Sequence, residues 1–207
     1  MHPAARQWRT SLERIDGWFE GRRRDTGDVV PCRAGCTACC HGPFDISIAD
    51  ALLLREAIAE LPPADQRDIR DRGRRLLARM TALTPQWHAP WDIADLGEPG
   101  FDLLVESLAE VPCPLLGDDG RCRVYQARPL VCRMMGLPMM TAEGLVLENA
   151  CPIQEQFPGY AALDPALFDF ESLEAAEQAS LDAAAVAWFD SPLHAGFETT
   201  IAAVAAG

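Results

Sequence analysis

The chain contains no lysine, and all 18 of its basic residues are arginines. Without a lysine amine the protein cannot carry out chemistry that proceeds through a Schiff base on its own side chains. Acidic residues number 31, so the formal net charge is −13. Because nucleic-acid phosphates favour Lys and Arg, this charge argues against a nucleic-acid partner.

Long apolar runs and an export signal are also missing. No stretch approaches the roughly 18 apolar residues that a membrane-spanning helix needs. Residues 1–20 are interrupted by charged side chains and do not resemble a signal peptide. The sequence therefore predicts a cytoplasmic protein with no membrane partner, in a compartment where thiols are kept reduced.

Motifs for nucleotide binding and for a nucleophilic serine are absent as well. The sequence has no G-x-G-x-x-G, no G-x-x-x-x-G-K and no G-x-S-x-G. Asp118 and Asp119 could act as paired acid–base carboxylates, but the surrounding Gly-Asp-Asp-Gly is more typical of a tight turn. No catalytic residue is therefore assigned from the sequence.

What the chain does have is eight cysteines in two groups. The early group is Cys32, Cys36, Cys39 and Cys40, and the late group is Cys113, Cys122, Cys132 and Cys151. Thiolates are soft ligands that suit zinc and iron–sulfur centres, so all eight are candidate metal ligands. Four disulfides are the alternative that an even count permits. The missing export signal and the adjacent Cys39–Cys40 pair argue against them.

The number of thiols exceeds the four that one zinc ion or one four-iron cluster takes. One centre with spare thiols and two separate centres are therefore both open. Neighbouring side chains diverge, which makes Cys39 and Cys40 difficult to use together. Because His41 is the only histidine near the cysteines, all-sulfur ligation favours a 4Fe-4S iron–sulfur cluster, with zinc (Zn) as the alternative.

Several arginines lie within a few positions of a cysteine, namely Arg33, Arg121, Arg123, Arg128 and Arg133. Four thiolates around a divalent centre leave a net negative charge. Guanidinium groups can balance it by donating hydrogen bonds to sulfur or to nearby backbone carbonyls. We expect this role above all for Arg128 and Arg133, which bracket Cys132.

Two weaker signals accompany the cysteines. His41 could ligate the metal, carry a proton or cap the next segment. Methionines stand at positions 134, 135, 139 and 140, close to Cys132. Thioethers beside thiolates suit Cu(I), although methionine is more often adaptable core filler.

Hydrophobic periodicity predicts a mainly α protein, a single helical domain with short strands and loops around a cysteine-rich metal site. Helices are predicted over residues 4–24, 47–61, 64–83, 101–110 and 128–135, and through the Ala-rich tail 165–207. Short strands are predicted at 121–125 and 145–147. The expected organisation is one domain, 1–207, with a metal-binding core over 30–151 and packing helices over 1–29 and 160–207.

The order of the cysteine motifs resembles that of a known family. The sequence runs Cys-x3-Cys-x2-Cys-Cys-His from Cys32, then Cys-Pro-Leu-Leu from Cys113, Cys-Arg-Val-Tyr from Cys122 and Arg-Pro-x-x-Cys-Arg from Arg128. This resembles the YkgJ-type cysteine-cluster family, whose pattern is CxxCxxCC and which is described as zinc- or iron-chelating. The chain departs from that pattern with three residues, rather than two, between Cys32 and Cys36.

The resemblance implies metal chelation, and some relatives are described as iron–sulfur proteins. One relative, a flagellin lysine methylase, carries a related cysteine cluster. Three functions follow as expectations. The first is binding of an iron–sulfur cluster or zinc, in electron transfer or metal handling. The second is an enzyme that modifies a protein side chain in the manner of a methylase, with the cluster at its core. The third is a structural zinc module that binds a protein partner.

Overall fold

The computed structural model describes residues 1–30, 32, 35–147 and 149–207. The helices are α1 (Pro3–Thr26), α2 (Ile48–Ala59), α3 (Pro63–Leu83), α4 (Gly97–Leu108), α5 (Leu130–Met134), α6 (Phe170–Phe189) and α7 (Ile201–Ala206). The strands are β1 (Asp45–Ser47), β2 (Met139–Met140), β3 (Ala166–Leu167) and β4 (Glu198–Thr200). Single turns of 3-10 helix lie at Gly27–Val29, Ile93–Asp95, Tyr125–Ala127, Gln154–Gln156, Tyr160–Ala162 and Pro192–His194.

Helix α1 forms one wall of the core because its apolar residues share a face. Trp8, Leu12 and Ile15 recur at helical spacing and are completely buried. Pro3 occupies the first turn, where a missing N–H costs no hydrogen bond. Gly27 ends the helix with a φ of +61°. The helix predicted over residues 4–24 is therefore confirmed.

Helices α2 and α3 also begin and end where local chemistry predicts. The Ser47 hydroxyl accepts a hydrogen bond from the Asp50 N–H at 3.4 Å, which caps the start of α2. Pro62 follows soon after the end of α2 and Pro63 opens α3, as expected where a proline cannot continue one helix but suits the first turn of the next.

The approach of α7 to α3 explains the glycine in the middle of α3. A Cβ atom built on Gly73 would lie 2.7 Å from the Ala205 carbonyl carbon and from the Ala206 nitrogen. No side chain therefore fits between the two helix backbones at this position, which explains the glycine. A small core lies beside this contact and consists of Leu76, Met80, Trp87, Leu96, Leu104, Leu108 and Ala202.

The tail is not the continuous helix that its alanine content predicts. Strand β3 precedes α6, and β4 separates α6 from α7. Strand β4 pairs antiparallel with β1, with Asp45 opposite Thr200, whereas β2 and β3 pair parallel. β-branched Thr199 and Thr200 favour the extended segment, and the Thr200 hydroxyl then accepts from Ala203 N at 3.1 Å to cap α7.

Three shorter predictions are also revised. The strand predicted at 121–125 is wrong: Cys122 makes one isolated bridge with Leu116, and the chain then turns into 3-10 helix. Helix α4 begins at Gly97, four positions before its predicted start. The segment 145–147 does pair back, and over its described residues the pairing consists of one bridge from Val146 to Met140.

The cysteine-rich loops are built onto the helical core. The main buried cluster joins residues of α1, α2, α6 and α7 with Cys113, Leu115 and Val124. The mainly α architecture with a few short strands is thus confirmed, and three of the late cysteines, Cys113, Cys122 and Cys132, belong to its main core or pack against it. No helix in the described ranges is both long and apolar enough to cross a membrane.

Candidate metal centre

The early cysteines lie on turns rather than on a helix in the described positions 32 and 35–40. The Cys40 N–H donates to the Thr37 carbonyl at 2.9 Å, and Gly35 adopts a φ of +85°. A Cβ atom on Gly120 would lie 3.6 Å from the Gly35 carbonyl oxygen, so the tight turn 117–120 packs against this segment. The early segment is therefore held close to the loop that carries Cys122.

Backbone hydrogen bonds join the early and late cysteine segments directly. The Cys113 N–H donates to the Cys40 carbonyl at 2.9 Å, and the Gly42 N–H donates to the Val111 carbonyl at 2.7 Å. His41 lies between these bonds and forms an antiparallel bridge with Pro112. Two stretches separated by about seventy positions in the sequence thus run side by side.

A compact loop brings Cys122 back to Cys113. The Arg123 N–H donates to the Leu115 carbonyl at 3.0 Å, and the Leu116 N–H donates to the Cys113 carbonyl at 3.0 Å. Asp118 at the tip of the loop pairs with an arginine of α3 at 2.6 Å. The Gly-Asp-Asp-Gly sequence therefore forms a turn fixed to α3, and this explains the two carboxylates without assigning them acid–base chemistry.

Cys132 lies on α5, whose first turn is fixed by a buried carboxylate. Asp50 accepts from the Leu130 N–H at 3.0 Å and from the Trp8 indole N–H at 2.7 Å. Burial raises the pKa of Asp50 to about 7, although both hydrogen bonds oppose this shift. From the sequence, Asp50 is only an acidic residue in the first turn of α2. Its role in positioning α5 depends on contacts far apart in the chain.

Cys32 and Cys151 meet at a second group of contacts. A Cβ atom built on Gly136 would lie 2.5 Å from the Cys32 sulfur, so Gly136 leaves the space that this sulfur occupies. The Tyr160 hydroxyl donates to the Gly136 carbonyl at 3.0 Å and accepts from the Cys151 N–H at 3.1 Å. Asn149 adds a third tie, because its carbonyl accepts from the Gly136 N–H at 2.9 Å.

Burial and neighbouring thiols raise the pKa of Cys32 and of Cys151. Burial, together with the negative charges that Cys151, Cys39 and Cys36 would carry, raises the pKa of Cys32 to about 12. Burial also raises the pKa of Cys151, with further contributions from Cys36 and Cys39. Without a bound cation both groups therefore favour the protonated thiol.

The remaining late cysteines behave in the same way. Burial raises the pKa of Cys132 well above its ordinary value, and Cys113 and Cys122 raise it further. Burial raises the pKa of Cys113 to about 12, again with a contribution from Cys122. In Cys39 the main cause of a raised pKa is a hydrogen bond that the protonated thiol donates to the Cys40 sulfur, followed by burial. At neutral pH such groups are thiols unless a cation displaces their protons.

Arg128 and Arg133 form one network with Asp16 of α1, in which Arg133 is buried and the other two are partly exposed. Arg133 is 2% exposed, donates to the Arg128 and Gln126 carbonyls at 2.9 Å and pairs with Asp16. Arg128 pairs with Asp16 at 2.7 Å, and its guanidinium lies 4.0 Å above the Tyr125 ring. The network fixes the peptide segment immediately before Cys132.

Arg128 also acts on the thiols through its charge. Burial raises the pKa of Cys122 and of Cys32, and the positive charge of Arg128 counteracts the rise in both. Arg123 instead pairs with Asp68 of α3 at 2.8 Å. Arg33 lies outside the described residues. The charge-balancing role expected of Arg128 and Arg133 stays a prediction, and the position of Arg128 is compatible with it.

The donor chemistry fits a thiophilic metal or cluster. All eight cysteines are free thiols, and soft sulfur ligands suit zinc and iron–sulfur centres. Over the described positions, no three His, Cys, Asp or Glu side chains already surround a point at which they could hold an ion. A cysteine sulfur moves between staggered positions by rotation about one bond, so closure around a metal requires side-chain rotation. The ligand assignments stay predictions.

Two cavities share one side chain near the cysteine loops. A cavity of about 280 Å³ is lined by Cys39, His41 and Pro152. A larger one, of about 360 Å³, is lined by Glu177 of α6, Glu198 of β4 and residues of β1 and α5. Met135 lines both cavities. One of the methionines near Cys132 in the sequence therefore lies between the cavity beside Cys39 and the larger cavity.

Comparison with known proteins identifies the family. The model of the CxxCxxCC family, described as a "Putative zinc- or iron-chelating domain", matches residues 31–152, which is more than half of the chain. The protein belongs to this family and has its metal-chelating domain, which confirms the resemblance found in the sequence. No curated protein and no solved structure matches the chain significantly.

Tyr160, Asn149, Gly136 and Asp16 are structural contributors that sequence reasoning missed. Tyr160 joins two loops by hydrogen bonds, and the Asn149 amide donates to the Met134 and Leu137 carbonyls at 2.5 and 2.7 Å. The sequence marks Gly136 only as the end of a helical segment, although it also makes room for the Cys32 sulfur. A positive φ requirement at this glycine is the one signal that a sequence could have offered.

Proposed function

We propose that the protein holds an iron–sulfur centre of the 4Fe-4S type, with thiolates from both the early and the late segments as ligands. The observation that carries the proposal is the hydrogen bond from Cys113 N to the Cys40 carbonyl, at 2.9 Å. This bond holds Cys113 of the late segment beside Cys40 of the early segment. Family membership supports binding of zinc or iron, and the choice of an iron–sulfur centre is the further step.

The number and chemistry of the donors support this step. Eight thiols with a single nearby histidine form an almost purely sulfur donor set, which is typical of iron–sulfur ligation. The raised pKa of Cys32, caused first by burial, keeps that group protonated in the absence of a cation. A catalytic cysteine needs the opposite shift, because its thiolate is the nucleophile. The raised pKa of Cys32 therefore favours a ligand role over a nucleophilic role for this cysteine.

The protein would use the centre in electron transfer or metal handling. Six of the eight cysteines are partly exposed rather than fully buried. A centre near the surface can exchange electrons or metal with a partner without a large rearrangement of the fold. The cavity beside Cys39 provides a route of approach to the sulfurs.

The test is to purify the full chain anaerobically from iron-replete cells and to measure iron, zinc, labile sulfide and the visible spectrum. We expect iron and sulfide in equal amounts and a brown protein with broad visible absorbance. Stoichiometric zinc in a colourless protein would refute the iron–sulfur centre and would favour a structural zinc module.

The ligand assignment is tested with the Cys113→Ser, Cys122→Ser double variant. We expect it to retain little metal and to unfold more easily, since metal binding and folding are coupled. The matched control is Ala127→Ser, which introduces a hydroxyl at a nearby buried position without removing a thiol. Full metal content in the double variant would contradict the assignment.

The larger cavity favours a second candidate function, an enzyme that modifies a protein side chain beside the cluster. Four carboxylates line the cavity, those of Asp45, Asp50, Glu177 and Glu198. Among the described residues none of these four forms a salt bridge with an arginine. Burial raises the pKa of Glu177 and of Glu198, and the negative charge of Asp45 adds to the shift in Glu198. Such a site suits a positively charged protein side chain that brings its own counter-charge.

Peptide binding separates this candidate from a pure electron carrier. A lysine-rich peptide should bind the wild-type protein and should bind a Glu177→Gln, Glu198→Gln double variant at least about tenfold more weakly, the loss of two charge contacts being worth over 1 kcal/mol. The control, Glu171→Gln with Glu174→Gln, removes the same charge from exposed positions of α6, the helix that also carries Glu177. Equal weakening in both double variants would reject the cavity as the site.

A further inference from the structure

The larger cavity carries negative charge that no basic group of the described chain neutralises. The cavity has a volume of about 360 Å³, and the carboxylates of Asp45, Glu177 and Glu198 line it. Over the part of the chain that the structure describes, no basic side chain lies within salt-bridge distance of these three groups. A ligand that brings positive charge would therefore be attracted to this cavity.

Asp50 also lines the cavity, but both of its oxygens already accept hydrogen bonds. Oδ1 accepts from the Trp8 indole N–H at 2.7 Å, and Oδ2 accepts from the Leu130 N–H at 3.0 Å. The three carboxylates of Asp45, Glu177 and Glu198 are therefore the ones available to a ligand.

These three carboxylates come from two separate elements. Ser47 lies opposite Glu198 in the β1–β4 pair, and Asp45 is two positions from Ser47 on β1. Because side chains alternate along a strand, Asp45 and Glu198 project from the same face of the pair. Glu177 approaches from α6. The negative charges thus line different walls of the cavity.

Separate charges select the kind of cation that fits. Over the described residues, no three His, Cys, Asp or Glu side chains are placed to hold one metal ion. A cation that binds at a single point does not match carboxylates on different walls. A molecule whose positive charges are separated by a flexible chain does match them.

A buried acceptor in the same cavity lacks a hydrogen-bond partner. Asn149 lines the cavity and is 6% exposed. Its amide group donates to the Met134 and Leu137 carbonyls, whereas its side-chain Oδ1 has no partner among the described residues. An unpaired buried acceptor is costly, so a ligand that donates hydrogen bonds would be favoured. A protonated amine supplies up to three such donors.

The remaining wall of the cavity is apolar. Ile46, Leu130, Val131, Met134 and Leu147 line it. Surfaces of this kind contact the methylene groups of a long cationic molecule while its charged ends pair elsewhere.

We propose that this cavity binds a free aliphatic polyamine. Its ammonium groups pair with Asp45, Glu177 and Glu198, and its methylene groups contact the apolar wall. A volume of about 360 Å³ lies at the small end of ligand pockets, which suits a short, flexible amine.

This inference goes beyond the metal centre and does not require one. It names a free ligand for the cavity in which the second candidate function places a protein side chain. Both sources offer the same chemistry, a protonated amine on an aliphatic chain, so the experiment must distinguish them.

Isothermal titration calorimetry of the full chain at low salt compares spermidine, n-butylamine and a lysine-rich peptide. We expect one spermidine to bind per chain, at least about tenfold more tightly than n-butylamine, because each further hydrogen bond to a charged group contributes about that factor. We also expect spermidine to bind more tightly than the peptide, whose backbone does not fit the cavity. A peptide that binds as tightly as spermidine, or more tightly, would overturn the free-ligand inference and support the second candidate function. Binding of none of the three would overturn both and leave the metal centre untouched.

A matched pair of variants separates the cavity from general attraction to a chain of net charge −13. We expect Glu177→Gln with Glu198→Gln to weaken spermidine binding at least about tenfold. Glu171→Gln with Glu174→Gln removes the same charge from exposed positions of α6 and should change the affinity by less than about twofold. Equal weakening in the two double variants would overturn the inference.

A second measurement uses the wild-type protein and needs no variant to fold. A water-soluble carbodiimide joins a bound amine to a carboxylate beside it, and peptide mass spectrometry locates the adduct. At low spermidine concentration we expect adducts at Asp45, Glu177 or Glu198 before any at Glu171 or Glu174. Adducts spread evenly over the exposed carboxylates would overturn the inference.

Discussion

Gly136→Ala tests the packing of the Cys32 sulfur at one atom. The added Cβ would lie 2.5 Å from the Cys32 sulfur, whereas non-bonded heavy atoms prefer separations of about 3.5–4.0 Å. The sulfur must therefore move by about 1 Å, or the loop must shift. Cys32 can no longer occupy its position beside Gly136, and we expect the variant to lose metal.

The loss of stability caused by overlap with the Cys32 sulfur can be separated from the cost of a positive φ. Gly136 has a φ of +104°, so any side chain there also incurs the cost of a positive φ, roughly 1–3 kcal/mol. Gly144 has a φ of +87°, and a methyl group added to it would meet no atom within 4 Å. Gly144→Ala therefore incurs the backbone cost alone. The overlap with sulfur should add about 1–3 kcal/mol to the loss in Gly136→Ala, by analogy with overpacked cores.

The assay is urea denaturation of both variants, with metal content measured on the same samples. We expect Gly136→Ala to unfold at lower urea than Gly144→Ala and to retain clearly less metal, while Gly144→Ala keeps the wild-type amount. Equal stability and equal metal content in the two variants would refute the placement of the Cys32 sulfur against Gly136.

Two further predictions concern the groups that position the cysteines. Asp50 has its pKa raised to about 7 by burial, against 3.8 for an ordinary carboxyl, so its stabilising effect is complete below about pH 4 and is lost as the pH rises through 7. Asp50→Asn should abolish this pH dependence of the free energy of unfolding, which is on the order of 4 kcal/mol at most. Urea titrations between pH 4 and pH 8 would show the change. An unchanged pH dependence would contradict the burial argument. Tyr160→Phe removes the hydroxyl that joins Cys151 to Gly136, should cost about 1–3 kcal/mol by leaving two buried groups unpaired, and should speed metal loss to a chelator. Wild-type kinetics of metal loss in this variant would show that the bridge does not hold the site.

The helices could be predicted because their signals are local. Ser47 caps α2, consecutive prolines separate α2 from α3, and the buried face of α1 repeats at helical spacing. The family could be predicted for the same reason, since the order and spacing of the cysteines are visible in the chain.

The features that could not be predicted from the sequence depend on contacts between residues that are far apart in the chain. Strand β4 forms because β1, more than 150 positions earlier, offers it a partner. The β-branched Thr199 and Thr200 favour an extended segment, but no local pattern shows that it pairs with β1. Tyr160 and Asp50 acquire their roles only after folding brings Cys151 and α5 next to them.

The candidate site, like the fold, has features that the sequence predicts and features that it does not. The eight cysteines and the nearby arginines are candidate ligands and charge partners from spacing alone. That Arg128 acts on Cys32 while Arg123 turns to α3 depends on the tertiary fold.

X-ray absorption at the metal edge of the anaerobically isolated protein tests the central claim most directly, because it identifies the atoms bound to the metal. The account predicts iron whose nearest neighbours are all sulfur, with iron neighbours beyond them. A metal surrounded by nitrogen or oxygen would contradict it.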